Sequence, residues 1–168
     1  MDGSGGAGTT QAVPGGYRFS MRFQGGMQLA DSTDRVLWSL SGFVTRGGRP
    51  VASFVAAEHA TEDLEIVRTR RFPRPQFEIL EHGRTLATVE SDGLLRTQWT
   101  IAFADGLRWQ FPLPMFRVAR GALRDGAFVV KVREHRMNLW DLVFEPGQDR
   151  PEAVAAIACV HLARWRGL

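Results

Sequence analysis

The stretch from Arg68 to Arg74, RTRRFPR, holds four arginines and no acidic residue. The guanidinium group is planar and presents its donors in a fork that fits phosphate and carboxylate oxygens. Arginines at this density predict a site for an anionic headgroup or another phosphate. The predicted site consists of Arg68, Arg70, Arg71 and Arg74, with Phe72 and Phe77 expected to supply apolar contacts beside it.

A second basic stretch follows between residues 117 and 136. Whether it lies on the same side of the molecule as the first stretch does not follow from the sequence. Four of its basic residues belong to the predicted phosphate-binding set: Arg117, Arg120, Lys131 and Arg133. Arg124 and Arg136 lie in the same stretch but are not part of that set.

The expected geometry of the first stretch follows from strand periodicity. Residues two apart on a strand share a face, so Arg68 and Arg70 are expected on one face, with Arg71 and Arg74 extending the charge into a turn. The alternative interpretation is a solvated hairpin end whose charges discourage aggregation. Twenty of the 21 basic residues are arginine, a bias that a GC-rich coding genome also produces without any function.

The net charge of +3 is unevenly distributed. Residues 1–66 hold five arginines against seven acids, whereas residues 67–168 hold sixteen basic residues against eleven acids. This asymmetry predicts a basic face. The clustering is sparser than is usual in DNA-binding domains, so we predict no specific nucleic acid partner.

No other residues form a convincing catalytic or metal-binding motif. The four histidines are isolated in sequence, and no spacing matches a zinc site or a metalloprotease helix. Cys159, the single cysteine, falls in an apolar segment and is expected to be a small buried residue rather than a nucleophile. We predict no catalytic residue, no metal and no cofactor, and the sequence names no enzymatic reaction.

Short strands are the elements that must position these arginines. From Tyr17 onward, apolar and polar residues alternate in short runs with the period of two that is typical of strands. The turn signals recur about every 8–12 residues, as in all-β folds. They predict a mainly β protein of about eleven or twelve strands and include Gly47-Gly48, His82-Gly83, Asp105-Gly106 and Asp125-Gly126.

The last segment, residues 150–165, is predicted to be a helix with Asp149 as its N-cap and Glu152 as the capping-box partner. Every residue from Ala153 to Val160 is apolar, whereas a surface helix carries a polar face. A short helix without a polar face has to be enclosed on all sides. An antiparallel sheet curled around it would enclose it and would remove the sheet's edges. We therefore predict a closed antiparallel β-barrel of about 12 short strands around an apolar C-terminal helix.

Composition also predicts the domain organisation. Residues 1–16 are mostly small or polar and are expected to be a disordered tail, and residues 17–168 are expected to form one domain. No segment has the pattern of a signal peptide or the length of a membrane span. A single cysteine fits a reducing compartment. The expected location is the cytoplasm, with peripheral attachment to a membrane.

Many short strands followed by one apolar C-terminal helix resemble the tubby C-terminal-like superfamily, which includes the LURP-one-related proteins and the phospholipid scramblases. The resemblance is carried by RRFPRPQFEILEHGRTLATVE and by DLVFEPGQDRPEAVAAIACVHLA, which is similar to the family's last strand, connecting loop and central helix. It extends over residues 17–166 and implies a closed barrel with the helix threaded through its centre. No scramblase-type calcium-binding segment or palmitoylated cysteine cluster is present in the sequence, so the resemblance does not imply calcium-driven scrambling.

Two functions remain open. The first is a non-enzymatic barrel that binds an anionic phospholipid or a phosphoinositide-like headgroup through a basic, arginine-rich rim. The second is a β-barrel or helix-grip protein, either a ligand carrier or an enzyme, with an internal hydrophobic cavity. The second requires an open interior, which the apolar helix is expected to fill.

Overall fold

The computed structural model describes residues 16–21, 26–57, 63–92, 97–113, 121–136 and 139–166. The side chains of Met21, Arg136 and residues 164–166 are outside this description. Most of the predicted tail lies outside the described residues, and so do Arg117 and Arg120 of the predicted site.

The described chain contains thirteen strands and one helix. The helix α1, Pro151–Arg166, matches the predicted helix to within one residue at each end. The strands are β1 (Gly16–Met21), β2 (Met27–Ala30), β3 (Val36–Leu40), β4 (Val44–Arg46), β5 (Arg49–Ala56), β6 (Leu64–Arg70), β7 (Gln76–Glu81), β8 (Arg84–Ser91), β9 (Gln98–Phe103), β10 (Arg108–Pro112), β11 (Gly121–Arg124), β12 (Ala127–Arg136) and β13 (Leu139–Phe144).

Twelve of these strands close into an antiparallel barrel. Each strand from β5 to β13 pairs with the next along the chain, β13 pairs with β1, and β2 and β3 follow β1. Pairing of β3 with β5, from Trp38 opposite Ala56 to Leu40 opposite Phe54, completes the ring. The short β4 pairs with the start of β5 outside the ring. The predictions of a mainly β fold and of a closed barrel of about twelve strands are confirmed.

The helix α1 runs through the interior of the barrel. Every side chain from Ala153 to Ala163 is at most 1% exposed. The strands surround the helix and present their inward-facing residues to it, as β9 does with Trp99, Ile101 and Phe103. The apolar surface on all sides of α1 therefore has a direct cause, since between Ala153 and Ala163 no strip of the helix faces water.

An arginine fastens the start of α1 to the barrel wall. The guanidinium of Arg150 donates to the carboxylate of Asp105 in the β9–β10 turn at 2.6 Å and lies 4.7 Å from the centre of the Phe103 ring. The pKa of Asp105 is lowered first by the hydrogen bond from the backbone N–H of Leu107 and then by the bond from Arg150. These contacts fix where the helix enters the barrel.

The helix begins one residue later than the predicted cap implies. The N–H of Val154 donates to the carbonyl of Arg150 at 3.0 Å, so Arg150 is the N-cap and Pro151 takes the first helical position. The carboxylate of Asp149 instead accepts a hydrogen bond from the hydroxyl of Tyr17 at 3.2 Å. The predicted Asp149 cap is wrong because β1 brings a hydroxyl donor to that carboxylate.

The contact between Tyr17 and Asp149 has a spectroscopic consequence, since Tyr17 is the only tyrosine. Burial raises the pKa of Tyr17 to about 12, and the charge and hydrogen bond of Asp149 add to the shift. The folded chain therefore keeps a proton that an unfolded tyrosine loses near its ordinary pKa of about 10. We expect native tyrosinate absorbance to rise near pH 12. This contribution to stability should be complete below about pH 10 and should be lost as the pH rises through the folded pKa.

Two substitutions separate the causes of this shift. Asp149→Asn should lower the titration midpoint only in part, because burial is the larger cause. Asp125→Asn, in the exposed β11–β12 turn, should leave the midpoint unchanged. A native midpoint at the ordinary tyrosine value would contradict the contact.

Candidate functional site at the basic hairpins

The predicted arginine site lies at one end of the barrel, in the connection between β6 and β7. Because the strands alternate in direction, the connection from β3 to β5 lies at the same end. We call this end, formed by residues 41–50 and 70–76, the basic end. The opposite end, where α1 enters, is formed by residues 31–35, 82–83, 104–107, 125–126 and 145–150, and we call it the helix-entry end.

The tip of the β6–β7 hairpin carries exposed arginines and an exposed aromatic ring. Arg71 and Arg74 are exposed, and Phe72 between them is 73% exposed. Phe77, by contrast, is fully buried, with its ring centre 6.2 Å from that of Trp99. Phe72 lies beside Arg71 at the tip, as predicted. Phe77 stands opposite Arg68, but its ring is buried in the core and adds no exposed apolar surface to the site. Phe77 faces inward because it alternates with the outward residues of β7.

Arg68 and Arg70 lie on opposite faces of the sheet. Arg68 stands opposite the inward-facing Phe77, Arg70 stands opposite Gln76, and the register shifts between the two arginines. Directly opposite residues point to the same face, and successive residues alternate. The β-bulge at Thr69 therefore turns Arg68 toward the mouth of the barrel and Arg70 toward the outer wall. The prediction of a shared face is wrong for this reason.

The guanidinium of Arg70 binds other groups of the protein. Its guanidinium forms an ion pair with the carboxylate of Glu90 on β8. Its Nε also donates to the backbone carbonyl of Arg74 at 2.7 Å. Arg70 thus holds the hairpin tip against the barrel wall, and it contributes less free positive charge than the sequence suggested.

Arg68 and Arg71 form the most unusual electrostatic feature of the hairpin. Arg68 is half-buried, and burial lowers its pKa, with a further lowering from the charge of Arg71. Neither arginine forms an ion pair with an acid among the residues that the structure describes. Two neighbouring like charges without an opposing charge are an arrangement that a bound anion would stabilise.

A second basic hairpin, which the sequence analysis missed, lies beside the first. Gly47 and Gly48 have φ values of 53° and 78°, as the two-residue turn predicted from this pair requires. The turn places Arg46 and Arg49 directly opposite each other, and both are exposed. The motif Arg-Gly-Gly-Arg was visible in the sequence, but it was interpreted as a turn signal only.

The two hairpins are adjacent because β5 pairs with β6. Val51 stands opposite Val67, and both chains continue from there toward the basic end. Arg46 also reaches Glu65 on β6, with 3.5 Å between Nη1 and Oε1. The structure therefore brings Arg49 close to the arginines of the β6–β7 hairpin.

Lys131 and Arg133, from the second basic stretch, lie on the other side of the barrel. Four strands separate β12 from β7 in one direction around the ring, and five separate it from β6 in the other. Both side chains are exposed. Arg133 stands opposite Asp141, but Asp141 is bound by His135 and, at 3.4 Å, by the Nε of Arg18. The two stretches, assigned to one site from sequence, do not come together at their described residues.

Two further candidates, Cys159 and His161, lie inside the barrel. Cys159 is buried inside the barrel, and burial raises the pKa of its thiol, which opposes thiolate formation. His161 is buried among the rings of Phe19, Phe111 and Trp140. In the part of the chain that the structure describes, no group of three or more His, Cys, Asp or Glu residues could hold a metal ion. None of the described helices is long and apolar enough to cross a membrane.

Comparisons with protein-family models, with curated proteins and with solved structures found no match. The resemblance to the tubby C-terminal-like superfamily therefore stays a prediction. Function has to be inferred from the geometry of the basic end itself.

Proposed function

We propose that this protein binds the surface of anionic membranes through the basic end of its barrel, without catalysing a reaction. Its ligands are phosphate-bearing lipid headgroups. The observation that carries the proposal is a single hairpin tip that combines Phe72 with arginines that have no described ion pair. Guanidinium forks suit phosphate oxygens, and the ring suits the interfacial layer of a bilayer.

The charge balance at the two ends of the barrel favours one orientation. Residues 41–50 and 70–76 of the basic end contain five arginines and no acid, namely Arg46, Arg49, Arg70, Arg71 and Arg74. Adjoining them, at or near β6 and β8, are Arg68 and the acids Glu65, Glu90 and Asp92. The residues that form the helix-entry end contain six acids against two arginines: Asp31, Asp34, Asp105, Asp125, Glu145 and Asp149, with Arg35 and Arg150. An anionic surface therefore attracts the basic end more strongly than it attracts the helix-entry end.

The expected strength of the attachment is modest. Each basic residue near an anionic surface contributes about 1 kcal/mol. Arg49, Arg68, Arg71 and Arg74 lack a described ion pair, and together they would supply about 4 kcal/mol, which corresponds to millimolar affinity. Such binding is reversible. It weakens as salt rises, because exposed charges are screened beyond about 8 Å at physiological ionic strength.

A matched pair of double variants tests the proposal in co-sedimentation with vesicles. Arg71→Gln/Arg74→Gln and Lys131→Gln/Arg133→Gln each remove two positive charges from exposed positions. With phosphatidylserine-containing vesicles at low salt, the first variant should lose about tenfold or more in partition coefficient. The second should bind like the wild type. Vesicles of phosphatidylcholine alone should bind every one of these proteins much more weakly than the anionic vesicles bind the wild type.

Two controls complete this experiment. Glutamine at Arg68, Arg70, Arg71 and Arg74 together should remove the salt-dependent part of binding while the protein still unfolds cooperatively. Equal losses in the two double variants would show that only net charge matters, and the basic end would no longer be the site. Absence of wild-type binding at low salt would favour the alternative interpretation, in which residues 68–74 form a solvated hairpin end.

The second function considered from sequence, a ligand held in an internal cavity, stays a hypothesis. It requires space between α1 and the strands. At the described residues that space is occupied by the side chains of Ala153 to Ala163, and no specific observation favours it.

A further inference from the structure

The two most exposed large apolar side chains of the described residues lie on the two adjacent hairpins of the basic end. Phe72 is 73% exposed and Val44 is 53% exposed. They belong to the two adjacent hairpins, Phe72 to β6–β7 and Val44 to β4–β5. Each has exposed arginines beside it, Arg71 and Arg74 for the first and Arg46 for the second.

These side chains are held outward by their hairpins. The ion pair of Arg70 with Glu90 and its hydrogen bond to the carbonyl of Arg74 fix the tip on which Phe72 stands. Val44 is fixed by the pairing of β4 with β5, in which it stands opposite Val51. Large apolar side chains that remain in water forgo the free energy that burial provides.

We propose that Phe72 and Val44 insert between the headgroups of an anionic membrane and add an apolar, salt-resistant component to the attachment. This inference rests on the proposed function, in which the arginines draw the barrel to the surface. Aromatic rings are favoured at the headgroup level of a bilayer, and apolar faces bury into the boundary with the acyl chains. A soluble phosphate ester binds the arginines but presents no apolar surface for Phe72 to contact. The geometry therefore favours a lipid surface over a free anion.

Exposed apolar residues elsewhere on the barrel provide matched controls. Phe128 and Val55 are 37% and 38% exposed and lie on β12 and β5, in the half of the barrel nearer the helix-entry end. Phe72→Ser/Val44→Ser and Phe128→Ser/Val55→Ser therefore make the same chemical change at two different places. None of these side chains belongs to the buried core, so both variants are expected to fold.

The test measures partitioning onto phosphatidylserine-containing vesicles over a range of salt concentrations. The wild type should keep measurable binding at salt concentrations that screen its charges, and Arg71→Gln/Arg74→Gln should keep the same salt-resistant part. Phe72→Ser/Val44→Ser should lose that part and fall about tenfold at low salt, because apolar burial is lost. Phe128→Ser/Val55→Ser should match the wild type. The wild type, but not Phe72→Ser/Val44→Ser, should also raise the surface pressure of an anionic lipid monolayer.

The outcomes separate this inference from the proposed function. If the wild type binds at low salt but the two serine variants behave alike at every salt concentration, insertion is wrong and the electrostatic attachment stands. If inorganic phosphate, added at the headgroup concentration and constant ionic strength, displaces the protein fully, a soluble anion suffices and insertion is again wrong. If the wild type does not bind anionic vesicles at all, both proposals fail.

Discussion

Replacing Ile157 with aspartate should destabilise the protein severely or prevent it from folding. Ile157 is fully buried in the middle of α1, with strands on all sides. An ionised carboxylate cannot remain there without a partner, and even the neutral acid leaves polar groups in an apolar interior. The expected loss of about 5 kcal/mol or more is comparable to the whole stability of a typical domain. Circular dichroism should show either no transition or a melting temperature lower by about 10–20 °C.

The control for this experiment is Ile157→Val, which keeps the site apolar. It should cost about 0.5–1.5 kcal/mol, the usual cost of removing one buried methylene. Ala156→Asp should behave like Ile157→Asp, because Ala156 is also fully buried. A wild-type melting temperature in either aspartate variant would place α1 at the surface and would contradict the barrel.

Gly121→Ala should be nearly as damaging, for a steric reason. Gly121 begins β11 with φ of 141°, and a β-carbon there would lie 1.8 Å from the carbonyl oxygen of Val130 on β12. The clashing oxygen belongs to the backbone, so it cannot move away as the end of a flexible side chain would. Strained backbone alone costs about 1–3 kcal/mol, and separating the two strands adds to it. We expect a loss of about 3–5 kcal/mol, measured by urea denaturation.

Gly126→Ala separates the clash from the backbone strain. Gly126 also has a positive φ, 81°, but a β-carbon at that position would meet no atom within 4 Å. The cost there should be about 1 kcal/mol, the conformational part alone. Equal losses in the two variants would show that the close approach of β11 and β12 is not what constrains Gly121.

The local elements could be predicted because each is specified by its own residues. The run of apolar residues from Ala153 to Val160 has no polar face, and that feature alone predicts an enclosed helix. Gly47-Gly48 and Asp125-Gly126 mark turns because their conformations need positive φ, which both pairs adopt. Burial of Phe77 could also be predicted, since Phe77 and Ile79 share one face of β7 and the polar Glu78 lies between them.

The arrangement of the site was harder to predict because it depends on single residues and on distant pairings. One bulged residue, Thr69, reverses the face of everything after it, and a period of two carries no mark of such a bulge. The pairing of β1 with β13 joins segments far apart in sequence, and the pairing of β3 with β5 passes over β4. Only that strand order shows that Lys131 lies across the barrel from Arg71 and that Arg49 lies near Arg71.

The most direct test of the central claim is hydrogen–deuterium exchange of the wild-type protein, with and without phosphatidylserine-containing vesicles. If the basic end contacts the membrane, exchange should slow in residues 41–50 and 70–76. It should stay unchanged in the turns of the helix-entry end at residues 31–35, 104–107 and 125–126, and along β12. Slower exchange in those turns or along β12, with none at residues 41–50 and 70–76, would contradict the account.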